Sequence, residues 1–244
     1  MRVAPAPLRL AVLASGRGSN LQAIADAIAA GDLAAELVGV FSDKPGAFAL
    51  ERARRLGVHA LAVRPRDFAS RPAHDEHLFS QIDAVCPDVI VCAGYMRLLS
   101  EPVVTARQGR IINIHPSLLP AFKGLHTHQQ ALDAGAGVHG ASVHYVTPEL
   151  DGGPVVTQVR VPVEPGDDAE RLAQRVLAQE HPLLLATLRL LATGRVQLAG
   201  SAHGSRVELD GQPLSAPLQL GPDNVLAEFS ASPAPAIHPP PTNR

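Results

Sequence analysis

Five of the eleven histidines of this 244-residue chain fall in one stretch, residues 113–151: His115, His126, His128, His139 and His144. Asn113 opens the stretch, and Asp151 closes it before a Gly-Gly-Pro turn. An imidazole, an amide donor and a carboxylate are the groups that proton-coupled acyl transfer needs. An amine attacking a carbonyl builds negative charge on oxygen and positive charge on nitrogen. An Asn side-chain N–H can hold that oxygen, and a histidine can protonate it or stabilise it as a cation. A carboxylate beside the imidazole keeps it charged and can carry the amine proton away through water. Asn113 and His115 stand two apart at the end of an apolar run, so strand alternation puts them on one side of the pleat. The same stretch allows plainer roles: a satisfied strand-end histidine, a turn-forming Asn113, an ordinary turn at Asp151. His126 and His128 are the obvious pair for a metal, but no carboxylate or thiolate clusters with them, so no metal is expected.

A second motif, S-G-R-G-S-N at residues 15–20, joins an apolar run to a helical pattern. Gly16 and Gly18 permit a tight turn, and the free N–H groups of the following helix point out of it, a seat for phosphate. A dinucleotide fingerprint would need glycine where Leu21 stands, although Asp43 lies roughly where a nicotinamide-binding acid would sit. Spacing alone leaves the turn open between a phosphate site and a simple capped helix.

The elements that position these motifs read as an alternation. Apolar runs at 8–14, 37–41, 58–63, 88–93 and 110–114 predict strands, and helical spacing predicts helices at 19–31, 47–56 and 74–85. This order predicts an α/β fold with a mostly parallel twisted sheet, helices on both faces, and the site at the carboxyl edge of the strands. A short helix at 127–134 and two close strands at 142–147 and 155–163 predict an antiparallel part. A long helix over 167–193 follows, capped by Asp167 or Asp168 and bent at Pro182. Small strands at 196–198 and 206–209 with an Asp-Gly turn complete a single domain, residues 1–220, whose halves divide near residue 110. The Pro- and Ala-rich end, 221–244, is expected to be disordered.

Composition narrows the function. Hydrophobic residues make up 46% of the chain and the net charge is −2, which gives no electrostatic case for nucleic acid or an anionic membrane. Aromatics at 3% argue against a base-stacking surface. Two cysteines, Cys86 and Cys92, support no disulfide framework and fit a reducing compartment. The apolar N-terminal run is short, follows Pro5 and Pro7, and precedes a glycine turn, unlike a signal peptide. No run reaches the roughly 18 apolar residues of a membrane span.

Taken together, N-I-H-P-S-L-L-P-A-F-K-G-L-H-T-H, H-G-A-S-V-H-Y-V-T-P-E-L-D-G-G-P, S-G-R-G-S-N-L-Q-A-I, A-G-Y-M-R-L-L-S, A-Q-E-H and L-D-G-Q-P-L resemble the glycinamide ribonucleotide (GAR) formyltransferase family of purine synthesis. The resemblance runs from about residue 8 to residue 217. It implies a Rossmann-like formyltransferase fold and direct transfer of a formyl group from 10-formyltetrahydrofolate, a co-substrate, to the amine of GAR. It implies no metal and no covalent intermediate. His115 would be the general acid, Asn113 would hold the formyl oxygen, Asp151 would raise the His115 pKa and organise water, and His144 would support them. His126, His128 and His139 would shape the loop and pocket. Gly18, Ser19 and Asn20 would hold the phosphate, with Leu177, Ala178, Gln179 and Glu180 facing the ribonucleotide. Met96, Arg97, Leu98 and Leu99 would line the folate pocket with Arg71 near it, and Thr147, Pro148, Glu149, Leu150 and Asp151 would form the folate loop. Residues 121–123 depart from the family pattern, which puts the local loop shape in question. A cytoplasmic enzyme on small molecules, monomeric or homodimeric, is expected. A formyltetrahydrofolate hydrolase, expected to carry an extra N-terminal domain, and an inactive folate- or nucleotide-binding protein are the alternatives.

Overall fold

The computed structural model describes residues 6–200 and 204–228. Apolar runs become buried strands and amphipathic runs become the helices that cover them. In chain order the first half is β1 Leu8–Leu13, α1 Ser19–Ala29, β2 Ala35–Ser42, α2 Phe48–Arg55, β3 Ala60–Ala62, α3 Arg71–Asp83, β4 Val89–Cys92, α4 Glu101–Thr105 and β5 Ile111–His115. The second half is α5 Thr127–Asp133, β6 Val138–Tyr145, β7 Val155–Pro162, α6 Ala169–Ala192, β8 Val196–Ala199, β9 Arg206–Leu209, β10 Gln212–Pro213, β11 Leu218–Leu220 and β12 Leu226–Ala227. Nine strands form one sheet in the order β12-β11-β7-β6-β5-β4-β1-β2-β3, and β10-β9-β8 form a small second one. The pairs from β3 to β5 are parallel, β5–β6 and β6–β7 are antiparallel, and β11 returns parallel to β7.

Period-two alternation decides which layer each residue enters. Leu10 and Val12 of β1 pack with Leu21 and Ile24 of α1 and Leu184 of α6. Ala11 and Leu13 pack on the opposite side with Leu78, Phe79 and Ile82 of α3 and Val103 and Val104 of α4. Helices therefore lie on both faces. Side chains close two of the helix starts: Ser70 accepts from Ala73 N–H, and Asp168 from Arg171 N–H. No helix among the described residues is long and apolar enough to cross a membrane.

The structure differs from the sequence expectations at several elements. The sheet continues past residue 220, because Leu226 and Ala227 pair antiparallel with β11; residues 229–244 lie outside the described residues. β6 starts at Val138 rather than 142, as polar His139 is buried in the ladder against Val161. α3 starts at Arg71, three residues early, because Ser70 and Pro72 make a helix start. The helix α4 had no periodic signal, being only five residues long.

Chain order reverses direction between β1 and β4, which are neighbours. β1 leads outward to β2 and β3, while β4 leads the other way to β5. A crevice at the carboxyl ends of strands is the usual ligand site at such a reversal. The glycine turn after β1, the loop after β4 and the end of β5 all open there.

Beneath the loop after β5, β6 must lie close to β7. A Cβ on Gly140 would sit 1.9 Å from the Val159 carbonyl oxygen and 2.9 Å from Leu118. Gly140→Ala should therefore lower stability by about 3 kcal/mol or more, since backbone and not a flexible side chain is in the way. Gly137→Ala, in open space, should change it by less than about 0.5 kcal/mol. Urea unfolding of both variants checks this, and equal midpoints would remove the packing argument.

Candidate active site

Asn113 and His115 end β5 on one side of the pleat, and they pair across the ladder with His144 and Ser142 of β6. The Asn113–His144 register brings the amide nitrogen Nδ2 to 3.1 Å from His144 Nε2. The other ring nitrogen, Nδ1, lies 2.9 Å from the Tyr145 carbonyl oxygen. A carbonyl only accepts, so Nδ1 carries the proton and Nε2 is a bare acceptor. This in turn fixes the Asn113 amide with its nitrogen toward the ring, since a flipped amide would set oxygen against a lone pair. One N–H of that amide goes to His144 and leaves its second for a ligand. Burial pushes the His144 pKa down to about 4, against the smaller raising effects of the Tyr145 carbonyl and Asp151. His144 is neutral at pH 7.

His115 is buried at the same end, with its ring nearly perpendicular to that of His144, 6.5 Å between centroids. Its Nε2 donates to the Phe122 carbonyl at 3.1 Å, and its Nδ1 faces Asp151 Oδ2 at 3.5 Å. Asp151 stands in the left-handed region, φ 46°, before Gly152, with its other oxygen 3.7 Å from His144 Nε2. Asp151 is thus shared by the two histidines and anchored by a 2.9 Å bond from Gly124 N–H.

The loop that contributes Phe122 and Gly124 folds over the site through left-handed residues at Phe122, Gly124 and His126. Lys123 ties it to Glu149 at 2.7 Å, and Gln130 holds the Leu125 carbonyl at 2.7 Å. From below, the buried Ser142 hydroxyl accepts Leu119 N–H at 3.0 Å and donates to the Ser117 carbonyl at 2.7 Å. Gln158 of β7 donates to the Leu119 carbonyl at 2.9 Å, and Gln219 of β11 reaches Gln158 at 3.4 Å. None of this support was legible in the sequence, where residues 121–123 stood out only by departing from the family pattern.

These groups close one end of a cavity of about 610 Å³. Met96, Arg97, Leu98 and Leu99 line one wall, and Thr147, Glu149, Leu150 and Asp151 another. Leu125, His126 and His128 line it too. His139 lies behind them, ring edge to face with His128 at 5.2 Å. Pro148 lies outside the lining, and Arg71 stands exposed at the first turn of α3, also outside it. Among the described residues no group of three or more His, Cys, Asp or Glu side chains could hold a metal.

Gly18, Ser19, Asn20 and Glu180 come together elsewhere in the crevice. Gly18 is the left-handed N-cap of α1, and no side chain caps that helix end. Ser19 and Asn20 begin the helix. The Asn20 amide donates to Glu180 of α6 at 2.9 Å, which brings together residues 160 apart in sequence. The side-chain oxygen Oδ1 of Asn20 is buried with no partner among the described residues. Burial pushes the Glu180 carboxyl above its usual range, opposed by the Asn20 bond. Leu177 is exposed nearby on α6. This is an anion-favouring helix end beside an acid and an unmatched acceptor, suited to a phosphorylated, hydroxyl-bearing ligand.

A profile of the formyl transferase family matches residues 8–188. Phosphoribosylglycinamide formyltransferase of Escherichia coli K12 is 47% identical over 207 residues, 85% of this chain and 96% of that protein. The solved structure of phosphoribosylglycinamide formyltransferase from Coxiella burnetii is 44% identical with a TM-score of 0.81, covering 86% of this chain and 96% of that one. Glycinamide ribonucleotide transformylase 1 from Symbiobacterium toebii is similar to the same degree, 44% identical with a TM-score of 0.80 over 86% and 97%.

Burial and the neighbouring His128 also push the His139 pKa down to about 4. A folded pKa below the unfolded value of about 6.5 means that the unfolded chain binds more protons between the two. Stability is then full above about pH 6.5 and falls as the pH drops toward 4, by at most about 3 kcal/mol for each such histidine. His139→Leu removes one of the two groups, so its stability, followed by urea unfolding, should fall less steeply over that range. Parallel pH profiles for the variant and the wild type would contradict a neutral buried His139.

Proposed function

This chain belongs to the formyl transferase family, and from that premise we propose that it transfers the formyl group of 10-formyltetrahydrofolate to the amine of GAR. The products are formyl-GAR and tetrahydrofolate, and the step belongs to purine biosynthesis in the cytoplasm. The observation that carries the reading is the Asn113–His144 bond, which leaves an amide N–H free beside His115 and Asp151 at the closed end of the cavity. Exposed apolar side chains at Met96, Leu98, Leu125 and Leu150 suit the flat ring system and linker of a folate. When bound, the folate supplies a one-carbon unit at the formyl oxidation level.

The chain's own residues do the rest. Gly18, Ser19, Asn20 and Glu180, with residues 177–179, hold GAR by its phosphate and ribose. As the GAR amine attacks the formyl carbon, Asn113 donates its free N–H to the oxygen that gains charge. His115 donates a proton to the same oxygen, which means exchanging the Phe122 carbonyl for it as the Nε2 acceptor. Asp151 holds the His115 ring and receives the proton lost by the amine, through water. That proton passes to the folate nitrogen as its bond to carbon breaks, and the oxygen returns its own proton to His115 as the carbonyl re-forms, so the transfer is balanced without a covalent enzyme intermediate.

Purified protein given GAR and 10-formyltetrahydrofolate should form formyl-GAR and tetrahydrofolate in equal amounts. Formate release alone would move the assignment to a hydrolase, and no turnover would leave a binding protein. His115→Ala should lower kcat by roughly 10²- to 10⁴-fold with the Kd for GAR unchanged. Near-normal turnover in that variant would take the proton-donating role from His115.

A further inference from the structure

At the reversal between β1 and β4 lies a buried polar clamp that none of these roles uses. Ser15, just before the glycine turn, and Asp43, just after β2, are both buried. The Ser15 N–H donates to the Gly94 carbonyl at 3.0 Å. The Ser15 hydroxyl donates to Asp43 Oδ1 at 2.6 Å and accepts the Met96 N–H at 3.0 Å. A hydroxyl has one proton and turns freely about its C–O bond. With the proton committed to Asp43, a lone pair faces Met96.

The two motifs joined by this clamp are not equally dependent on it. The glycine turn has anchors of its own: Ala49 N–H donates to the Gly16 carbonyl at 3.1 Å, and Arg52 donates to the Arg17 carbonyl at 2.9 Å. Gly18 also lies against Ala49, which a Cβ would meet at 2.8 Å. The loop over residues 94–99 belongs to no helix or strand. Ser15 holds it at the start, and beyond its far end Asp75 accepts the Ser100 N–H at 2.7 Å.

We infer that Ser15 and Asp43 are positioning residues: they set residues 96–99 as a wall at the right distance from the glycine turn, and so set folate affinity without touching folate. The inference rests on the folate reading of the cavity above. Neither residue faces the reacting groups, so their effect is on binding and only indirectly on turnover.

Calorimetric titration with tetrahydrofolate and, separately, with GAR separates the possibilities. Ser15→Ala should weaken tetrahydrofolate about tenfold, the equivalent of one lost hydrogen bond, and GAR by less than about twofold. Because Ser15→Ala strands a buried carboxyl, the double variant S15A/D43N is measured beside it and should show the same split. Asp43→Ala should also weaken tetrahydrofolate, and Asp43→Asn should restore it, because an amide oxygen accepts the same hydroxyl proton. Unchanged tetrahydrofolate affinity in S15A and the double variant would overturn the inference. Equal weakening of both ligands would also overturn it, as that is general loosening. So would Asp43→Asn failing as badly as Asp43→Ala. If the wild type binds GAR but no tetrahydrofolate, the functional reading falls and this inference with it. If the wild type binds both and S15A matches it, only the inference falls.

Discussion

The Nδ1 proton of His144 is committed to the Tyr145 carbonyl, and the reacting end of the cavity is ordered by that commitment. It makes Nε2 an acceptor, which turns the Asn113 amide so that its nitrogen faces inward. It also keeps charge off a buried ring that sits 3.7 Å from Asp151. Were His144 cationic, it would compete with His115 for the Asp151 carboxylate and would have no lone pair to offer Asn113. The division of labour between two neighbouring histidines comes from their surroundings: one lies against a backbone acceptor and an amide, the other against a carboxylate and a carbonyl.

That arrangement needs a register, and the register belongs to the antiparallel part of the sheet. Asn113 faces His144 and His115 faces Ser142 because β6 runs antiparallel to β5. A slip of β6 by one residue would turn His144 to the other face and away from Asn113. The parallel half does a different task. Its reversal at β1 and β4 brings the glycine turn at the start of α1 and the wall formed by residues 96–99 to one crevice.

Much of this was legible in the sequence because it follows from local rules. Buried parallel strands appear as continuous apolar runs, and Gly16, Gly18 and Gly31 mark the turn and the end of the first helix. Asp167 and Asp168 announce the start of α6, and Asp168 is the one that caps it. The spacing of Asn113 and His115 places them on one face of β5. What was not legible depends on residues far apart in sequence. The Asn20–Glu180 bond spans 160 positions, and no motif in either segment names the other. The Phe122 carbonyl at His115 is a backbone group, so side-chain identity says little about it. The resemblance put Arg71 near the folate pocket, and the structure has it exposed at the start of α3, outside the cavity lining. Short elements such as α4, β11 and β12 are set by what they pack against, and periodicity cannot reveal them in so few residues.

The bond from Gln219 to Gln158 gives β11 a part in the timing of assembly. Gln158 holds the Leu119 carbonyl and the Ser142 hydroxyl, which support the loop over His115. A ribosome makes residue 219 after every residue of the cavity, so this support arrives last. An emerging chain can lay down β1 to β5 and both glycine-turn partners of the crevice while the loop still lacks its outermost brace. Strand β11, made after every residue that lines the cavity, is therefore the one that finishes the floor under His115.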